Sequence, residues 1–299
     1  MSIHFKTEIK TDRQSNEKYI EVKGSEGLSR IIDIPGEIES LPVRVIGNHA
    51  FSSRKDIEEI HIPDSVTTIL GFAFHNCGNL RKIVLTDSVT EYLDGSTRQC
   101  ENLDEIEVTI KRGNYQIIRS ILGDNDRRLR FRIHMPYEKE ALLVFPGFNY
   151  DFVENTMART IQFAIEGTGY AYRECVKSDT VNFREYDNMF SKTSADDPVT
   201  AEMIAIARLS YPCELLDEAR EMYENWLREN AAKNLTRTVK SSKDAEDSLQ
   251  FYIKRRLLPF DAISDVVRVS VDYDRTVITS LLMEYRSTFE DNNLLELDF

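Results

Sequence analysis

The side chains that could do chemistry are scattered along this sequence rather than gathered. There is no GxxxxGK[ST] loop to cradle phosphates, no GxGxxG after a strand, no HExxH and no GxSxG. The five histidines are far apart, and none stands at zinc-ligand spacing from a cysteine. Carboxylates such as Glu154, Glu166 and Glu174 could flank a pocket, and the GTGY turn at Gly167–Tyr170 could hold an anion beside Arg173. Acids are abundant here and a glycine-containing turn explains the GTGY stretch equally well. One alternative function rests on this region. A density of Tyr170, Tyr172, Arg173, Arg184 and Tyr186 would suit an enzyme or small-ligand site within residues 145–187. The residues imply no cofactor and no metal.

Composition sets the frame for those side chains. The chain has 299 residues, 41% of them hydrophobic, enough for a real core and about two domains. Its formal net charge of −13 repels phosphate backbones and anionic lipid, so neither nucleic acid nor membrane is an expected partner. No leader, lipidation signal or long apolar span is evident, and the four cysteines form no CxxC pair. Free thiols in a reducing, cytoplasmic setting are the expectation.

The first half is organised by a repeat. Val45–Thr67 and Thr68–Thr90 superimpose without gaps, and Glu91–Val108 continues them, so that Val45, Thr68 and Glu91 open successive copies. Ile46, Ile69 and Tyr92 align, as do Ile57, Leu80 and Leu103. The pairs Ile60/Ile62, Ile83/Leu85 and Ile106/Val108 read as short strands whose alternate residues point inward. One more step of the same length lands on Leu129 and Phe131, and Ile32/Ile34 form an earlier strand at a longer spacing. One such unit cannot cover its own apolar face, so the units must stack. Before them, residues 3–24 alternate around DRQSN and predict a β-hairpin that caps the first repeat. Cys77 and Cys100 fall on the same repeat position, which predicts core packing.

The motifs IG-x-x-AF (Ile46, Gly47, Ala50, Phe51), C-x-x-L (Cys77, Leu80) and IP-x-SV (Ile62, Pro63, Ser65, Val66) resemble BspA-type leucine-rich repeats. The resemblance covers about residues 30 to 110. It departs in the third repeat, where Gly95, Ser96 and Thr97 replace the Ala-Phe segment. It implies a parallel-strand solenoid that recognises a protein partner on its concave face. The outward residues of that face form two rows: Asp33, His61, Val84, Glu107, Arg130, and Glu59, Lys82, Glu105, Arg128. A partner-free reading remains open, with these mixed charges simply solvated. The arginine run 127, 128, 130 and 132 could meet an acidic partner or the protein's own acidic helices.

From about Pro136 the spacing changes. ALLVFPGF is a short strand or docking segment, and residues 156–175 mix helical spacing with alternation. Beyond Asp197 the chain reads as helices. Pro198 starts one, Pro212 breaks it, and Leu216, Ala219, Met222, Tyr223 and Trp226 give an apolar stripe to the next. Three more follow, the last two weakly resembling an ankyrin-type helix pair without its T-P-L-H signature. Leu294, Leu295 and Phe299 in the tail either fray or dock. The expected fold is therefore α+β: a solenoid over 1–135 with a hairpin cap, then a mostly helical domain over 136–299. The expected function is an adaptor that binds a protein partner, of unspecified oligomeric state.

Overall fold

A computed structural model describes residues 3–155, 160–241 and 244–296. The chain divides into two compact units, one running through Thr200 with Ser210–Glu214, the other comprising Ala201–Leu209 and the residues from Leu215 onward.

In the first unit each repeat gives one strand to each of two sheets. The long-strand sheet contains β3 (Ile31–Asp33), β6 (Glu59–His61), β8 (Lys82–Thr86), β10 (Glu105–Thr109), β11 (Leu129–Met135) and β12 (Lys139–Phe145). The first five of these run parallel, and β12 closes the end antiparallel to β11. Ile32, Ile60, Ile83, Ile106 and Phe131 lie side by side in register, and all five are buried. Each such apolar side chain contributes about 2 kcal/mol through the water it sheds. The second sheet has the order β1 (His4–Thr11), β2 (Lys18–Glu26), β5 (Leu41–Ile46), β7 (Thr68–Ile69), β9 (Glu91–Tyr92), with β4 (Glu37–Ile38) paired to β5. The expected hairpin is β1–β2. It caps the edge of β5, because β2 pairs parallel with that strand, and it leaves β3 as the edge of the long sheet.

The repeat also fixes backbone that no hydropathy pattern reveals. His49, Phe72 and Gly95, equivalent positions in successive repeats, have φ of 55°, 58° and 79°. Ser53, Asn76 and Gln99 repeat the feature with φ of 61°, 60° and 63°. Each period thus makes two left-handed turns between its short strand and its long one. The His49 and Phe72 rings stack at 5.2 Å. Gly95 continues this column without a side chain, since a Cβ there would lie 2.6 Å from the Phe72 ring. The thiols of Cys77 and Cys100 donate to the carbonyls of Phe51 and Phe74, one repeat back. Asn79 and Asn102 donate to Lys55 O and Gly78 O in the same stepwise manner.

The final step departs from the period. Ile83 is opposite Ile106, but Ile106 is opposite Phe131 and Val108 opposite Ile133, so this step is longer by two positions. The cause is α1 (Gln116–Asp124), a helix with buried Ile117, Ile118, Ile121 and Leu122 that replaces the usual connection. Its last residue repairs the third repeat. The Asp124 carboxylate accepts from Gly95 N, Thr97 N, Thr97 Oγ1 and Tyr92 Oη at 2.7–3.2 Å. Asp87 does similar work one turn earlier, holding the backbone N–H of Lys111, Arg112 and Asn114.

Strand structure continues past residue 135, because β12 alternates into the same core and completes the ladder. A hairpin follows, β13 (Asn149–Asn155) and β14 (Thr160–Glu166), then α2 (Gly169–Glu174), α3 (Phe183–Asn188) and α4 (Phe190–Asp196). The first compact unit therefore runs well past the boundary at 135 that the repeat alone suggests, as far as Thr200.

The helix α5 (Pro198–Ser210) begins in the first unit, and its Ala201–Leu209 stretch belongs to the second. With it go α6 (Asp217–Glu229), α7 (Ala231–Ser241), α8 (Ala245–Lys254), α9 (Phe260–Asp272) and α10 (Thr276–Glu296). The single helix expected after Leu216 is broken at Asn230, which caps α6 through Trp226 O. Leu235, Leu249, Ile263, Val266, Ile278 and Leu282 form the apolar interior. Within it Glu202 accepts from Arg237 and from Tyr252 Oη, and Asn234 donates to the same hydroxyl. Burial pushes the Glu202 carboxyl up despite the nearby guanidinium. The expected docking of Leu294, Leu295 and Phe299 lies outside the described side chains.

Candidate interaction face

Because residues alternate across a strand, every inward apolar residue in the ladder is flanked by outward positions, and the parallel register aligns these into rows. One row runs Ile31, Glu59, Lys82, Glu105, Arg130; the next runs Asp33, His61, Val84, Glu107, Arg132. Eight of the nine expected face residues are placed here. The exception follows from the lengthened last step: Arg130 stands beside Glu105, Arg132 takes the place beside Glu107, and Arg128 precedes β11. Arg128 instead lines an open cleft of about 980 Å³ with Asp126, Glu166 and Asp196. Sequence reasoning missed Arg132 as a face residue, and the only signal was the insertion of α1.

The face is an ordered charge array. Lys82 Nζ lies 2.7 Å from Glu107, 3.4 Å from Glu105 and 4.0 Å from Glu59. His61 bridges two carboxylates, with Nδ1 2.5 Å from Asp33 and Nε2 2.8 Å from Glu59. His134 Nε2 reaches Glu107 at 3.1 Å. Three arginines of the run find acids on adjacent strands and turns: Arg127 pairs with Glu101, Arg130 with Asp104 and Glu105, and Arg132 with Glu140. Tyr211 Oη accepts from Arg132 at 2.8 Å, and the tyrosine ring lies under its guanidinium at 5.1 Å. Most of these side chains are 23–40% exposed, so each pair is worth only about 0.2–1 kcal/mol.

Hydrogen bonding also shapes the titration of the face. Partial burial disfavours the charged imidazole of His61, but Glu59 and Asp33 outweigh it, and its pKa is raised above 6.5. The sign follows from linkage. A raised folded-state pKa gives stability that is fully present below the unfolded value near 6.5 and is lost as pH rises through the folded value. We expect the His61 ring protons to titrate above this value in an NMR pH series. His61→Gln should flatten the decline in stability over that window. A midpoint below 6.5 would show that desolvation dominates instead.

Three of the residues behind the alternative site, Tyr172, Arg173 and Tyr186, have structural work, while Tyr170 and Arg184 are exposed. Arg173 is buried, and its five N–H groups reach five carbonyls: Leu122, Pro146, Gly169, Asn125 and Arg127. Tyr186 Oη both donates to Val144 O and accepts from Val144 N, which occupies backbone groups of the edge strand β12. Tyr172 is buried against Tyr186, with ring centroids 4.7 Å apart. None of Tyr170, Tyr172, Arg173, Arg184 or Tyr186 lines the cleft beside them. Glu166 lines it, Glu174 is exposed on α2, and the side chain of Glu154 is outside the described residues. Among the described residues no three His, Cys, Asp or Glu groups are set to hold a metal.

Residues 32–121 match, in six copies, the family model described as BspA type leucine rich repeat region. This stretch is a BspA-type leucine-rich-repeat region. The BspA-type repeats account for the strands β3 to β10 and for most of α1. Leucine-rich repeats generally mediate protein–protein interaction, and the match indicates no catalytic family. Three solved structures are similar over about a third of this chain. A leucine-rich repeat protein from Bacteroides ovatus is 25% identical, with a TM-score of 0.29, covering 36% of this chain and 30% of that one. A leucine rich cell surface protein from Faecalibacterium prausnitzii is 22% identical, with a TM-score of 0.29, covering 36% and 35%. The leucine-rich repeat protein of T. pallidum is 17% identical, with a TM-score of 0.24, covering 34% and 68%. This chain thus spans about a third of the length of the first two. No curated protein matches the chain. Among the described residues no helix is long and apolar enough to cross a membrane.

Proposed function

We propose that the protein is an adaptor whose leucine-rich-repeat ladder binds a protein partner on its outward face. The binding residues are Asp33, Glu59, His61, Lys82, Val84, Glu105, Glu107, Arg130 and Arg132. Arg130 takes the place beside Glu105 that the period assigns to Arg128, and Arg132 stands beside Glu107. The observation that carries this reading is the pair of straight rows on five hydrogen-bonded strands, with Val84 set among acids and bases. Side chains already held by their neighbours lose little freedom on association, which favours recognition by a fixed pattern of charge. Four cysteines, three of them buried and none in a CxxC pair, fit a reducing compartment, and we place the protein in the cytoplasm on that ground.

Glu105 and Glu107 both hold Lys82, so their reversal changes the pattern at the centre of the face. With the partner captured from the native cell and purified, Glu105→Lys with Glu107→Lys should weaken binding by about tenfold or more, as expected for charges facing a complementary surface. Unchanged affinity in a variant with the parent's circular dichroism would reject the face as the binding surface.

A further inference from the structure

The short-strand sheet ends in an unusual way. Its outermost strand, β1, is eight residues long and pairs with β2 alone among the described residues. Thr7 and Ile9 stand opposite Val22 and Ile20, which are buried, so the same side of β1 continues the core face outward. Ile9 is nevertheless 52% exposed and Phe5 only half-buried, because among the described residues no strand pairs with β1 on that side. The other side of the strand carries His4, Lys6, Glu8 and Lys10. An unpaired edge of this length is a template for another strand, and proteins usually blunt one with charge or Pro. Here the charges alternate in sign instead.

We propose that β1 pairs antiparallel with β1 of a second copy, about a two-fold axis through Thr7, extending the sheet across a dimer. A two-fold normal to the sheet keeps both core faces on one side and pairs only residues of like parity. Centred on Thr7, it sets Lys6 against Glu8 and Phe5 against Ile9 of the second copy, each twice. Opposite charges and apolar pairs directly across an antiparallel ladder are both favourable. The neighbouring registers fail. Centring on Glu8 opposes Glu8 to itself and Lys6 to Lys10, and centring on Lys6 opposes Lys6 to itself. The ion pairs that must yield are weak: Lys6–Glu26 at 3.4 Å has both side chains about 60% exposed, and Glu8 is about half exposed beside Lys10. Centring on Ile9 also opposes Glu8 to Lys10, but it sets Phe5 against Arg13, beyond the end of β1. The Thr7 register is thus the one that combines opposite charges with cover for both Phe5 and Ile9, and its occupant is a second copy of this chain.

Sedimentation equilibrium of the full chain tests this. The parent protein should be a dimer at micromolar concentration. Lys6→Glu and Glu8→Lys each place like charges opposite one another twice, and each should raise the dimer dissociation constant by about tenfold or more. The double exchange, Lys6→Glu with Glu8→Lys, restores opposite pairs and should restore the dimer. Thermal melts establish that every variant is folded. A monomeric parent, single variants that dimerise unchanged, or a double variant that stays monomeric would each overturn the proposal. The readout involves no partner and so stands or falls apart from the ladder face.

Discussion

Asp124→Ala is expected to cost about 3–5 kcal/mol of folding stability in the first unit, the scale for removing one member of a buried charged network. The side chain of Asp124 is 2% exposed. Removing its carboxylate leaves Gly95 N and Thr97 N without their acceptor and the Tyr92 hydroxyl with Thr97 Oγ1 alone, and each buried orphan costs about 1–3 kcal/mol. Tyr92 is half-buried, and its hydroxyl pKa is pushed well up, by desolvation first and by Asp124 next. The third repeat lacks the Ala-Phe segment that fills its predecessors, so Asp124 is what ties that turn to the stack. Urea unfolding followed by far-ultraviolet circular dichroism measures the loss; the single tryptophan, Trp226, lies in the second unit and does not report on it. A change below about 1 kcal/mol, within ordinary surface-substitution range, would show that water replaces the carboxylate.

Arg173→Lys should be comparably severe, again about 3–5 kcal/mol, although it conserves the charge. A guanidinium offers five donors in a fixed plane, and all five are matched to carbonyls contributed by α1, the loops around Asn125 and Pro146, and α2. An ammonium has three donors at one point, so at least two of these buried carbonyls lose their partner. The Phe148 ring, 4.7 Å from the guanidinium, also loses its flat contact. If the variant unfolds at the parent's denaturant midpoint, the clamp is not structural and the anion-binding reading of the GTGY turn regains ground.

The ladder was legible because its period is a packing constraint. An aliphatic residue that must lie between its neighbours in a stack recurs at fixed spacing, so Ile60, Ile83 and Ile106 could be aligned by eye. The hairpin was legible through alternation, and the helices after Asp217 through their apolar stripes. The end of the array was not. The helix α1 lengthens the last step by two positions, and such a change moves Arg130 and Arg132 one place along the face without altering which residues are apolar. Extrapolating the period therefore named Arg128 where Arg130 stands, and Arg130 where Arg132 stands. Asp124, Asp87 and Arg173 were also invisible, since their partners are backbone groups in distant parts of the chain and leave no mark on composition. The same blindness made Tyr172, Arg173 and Tyr186 look like a site, because burial, which separates a structural arginine from a functional one, depends on contacts the sequence does not spell out. The left-handed turns at His49 and Phe72 went unseen because side chains, not glycines, occupy them.

The central claim is that recognition occurs on the outward rows of the ladder. A photo-activated cross-linking side chain at Val84, in the middle of those rows, reports on it inside the native cell. The same group at Gln99, exposed on a left-handed turn outside the ladder strands, serves as the comparison. The account predicts a discrete protein adduct from position 84 and none from position 99. An adduct from position 99 with none from position 84 would contradict it.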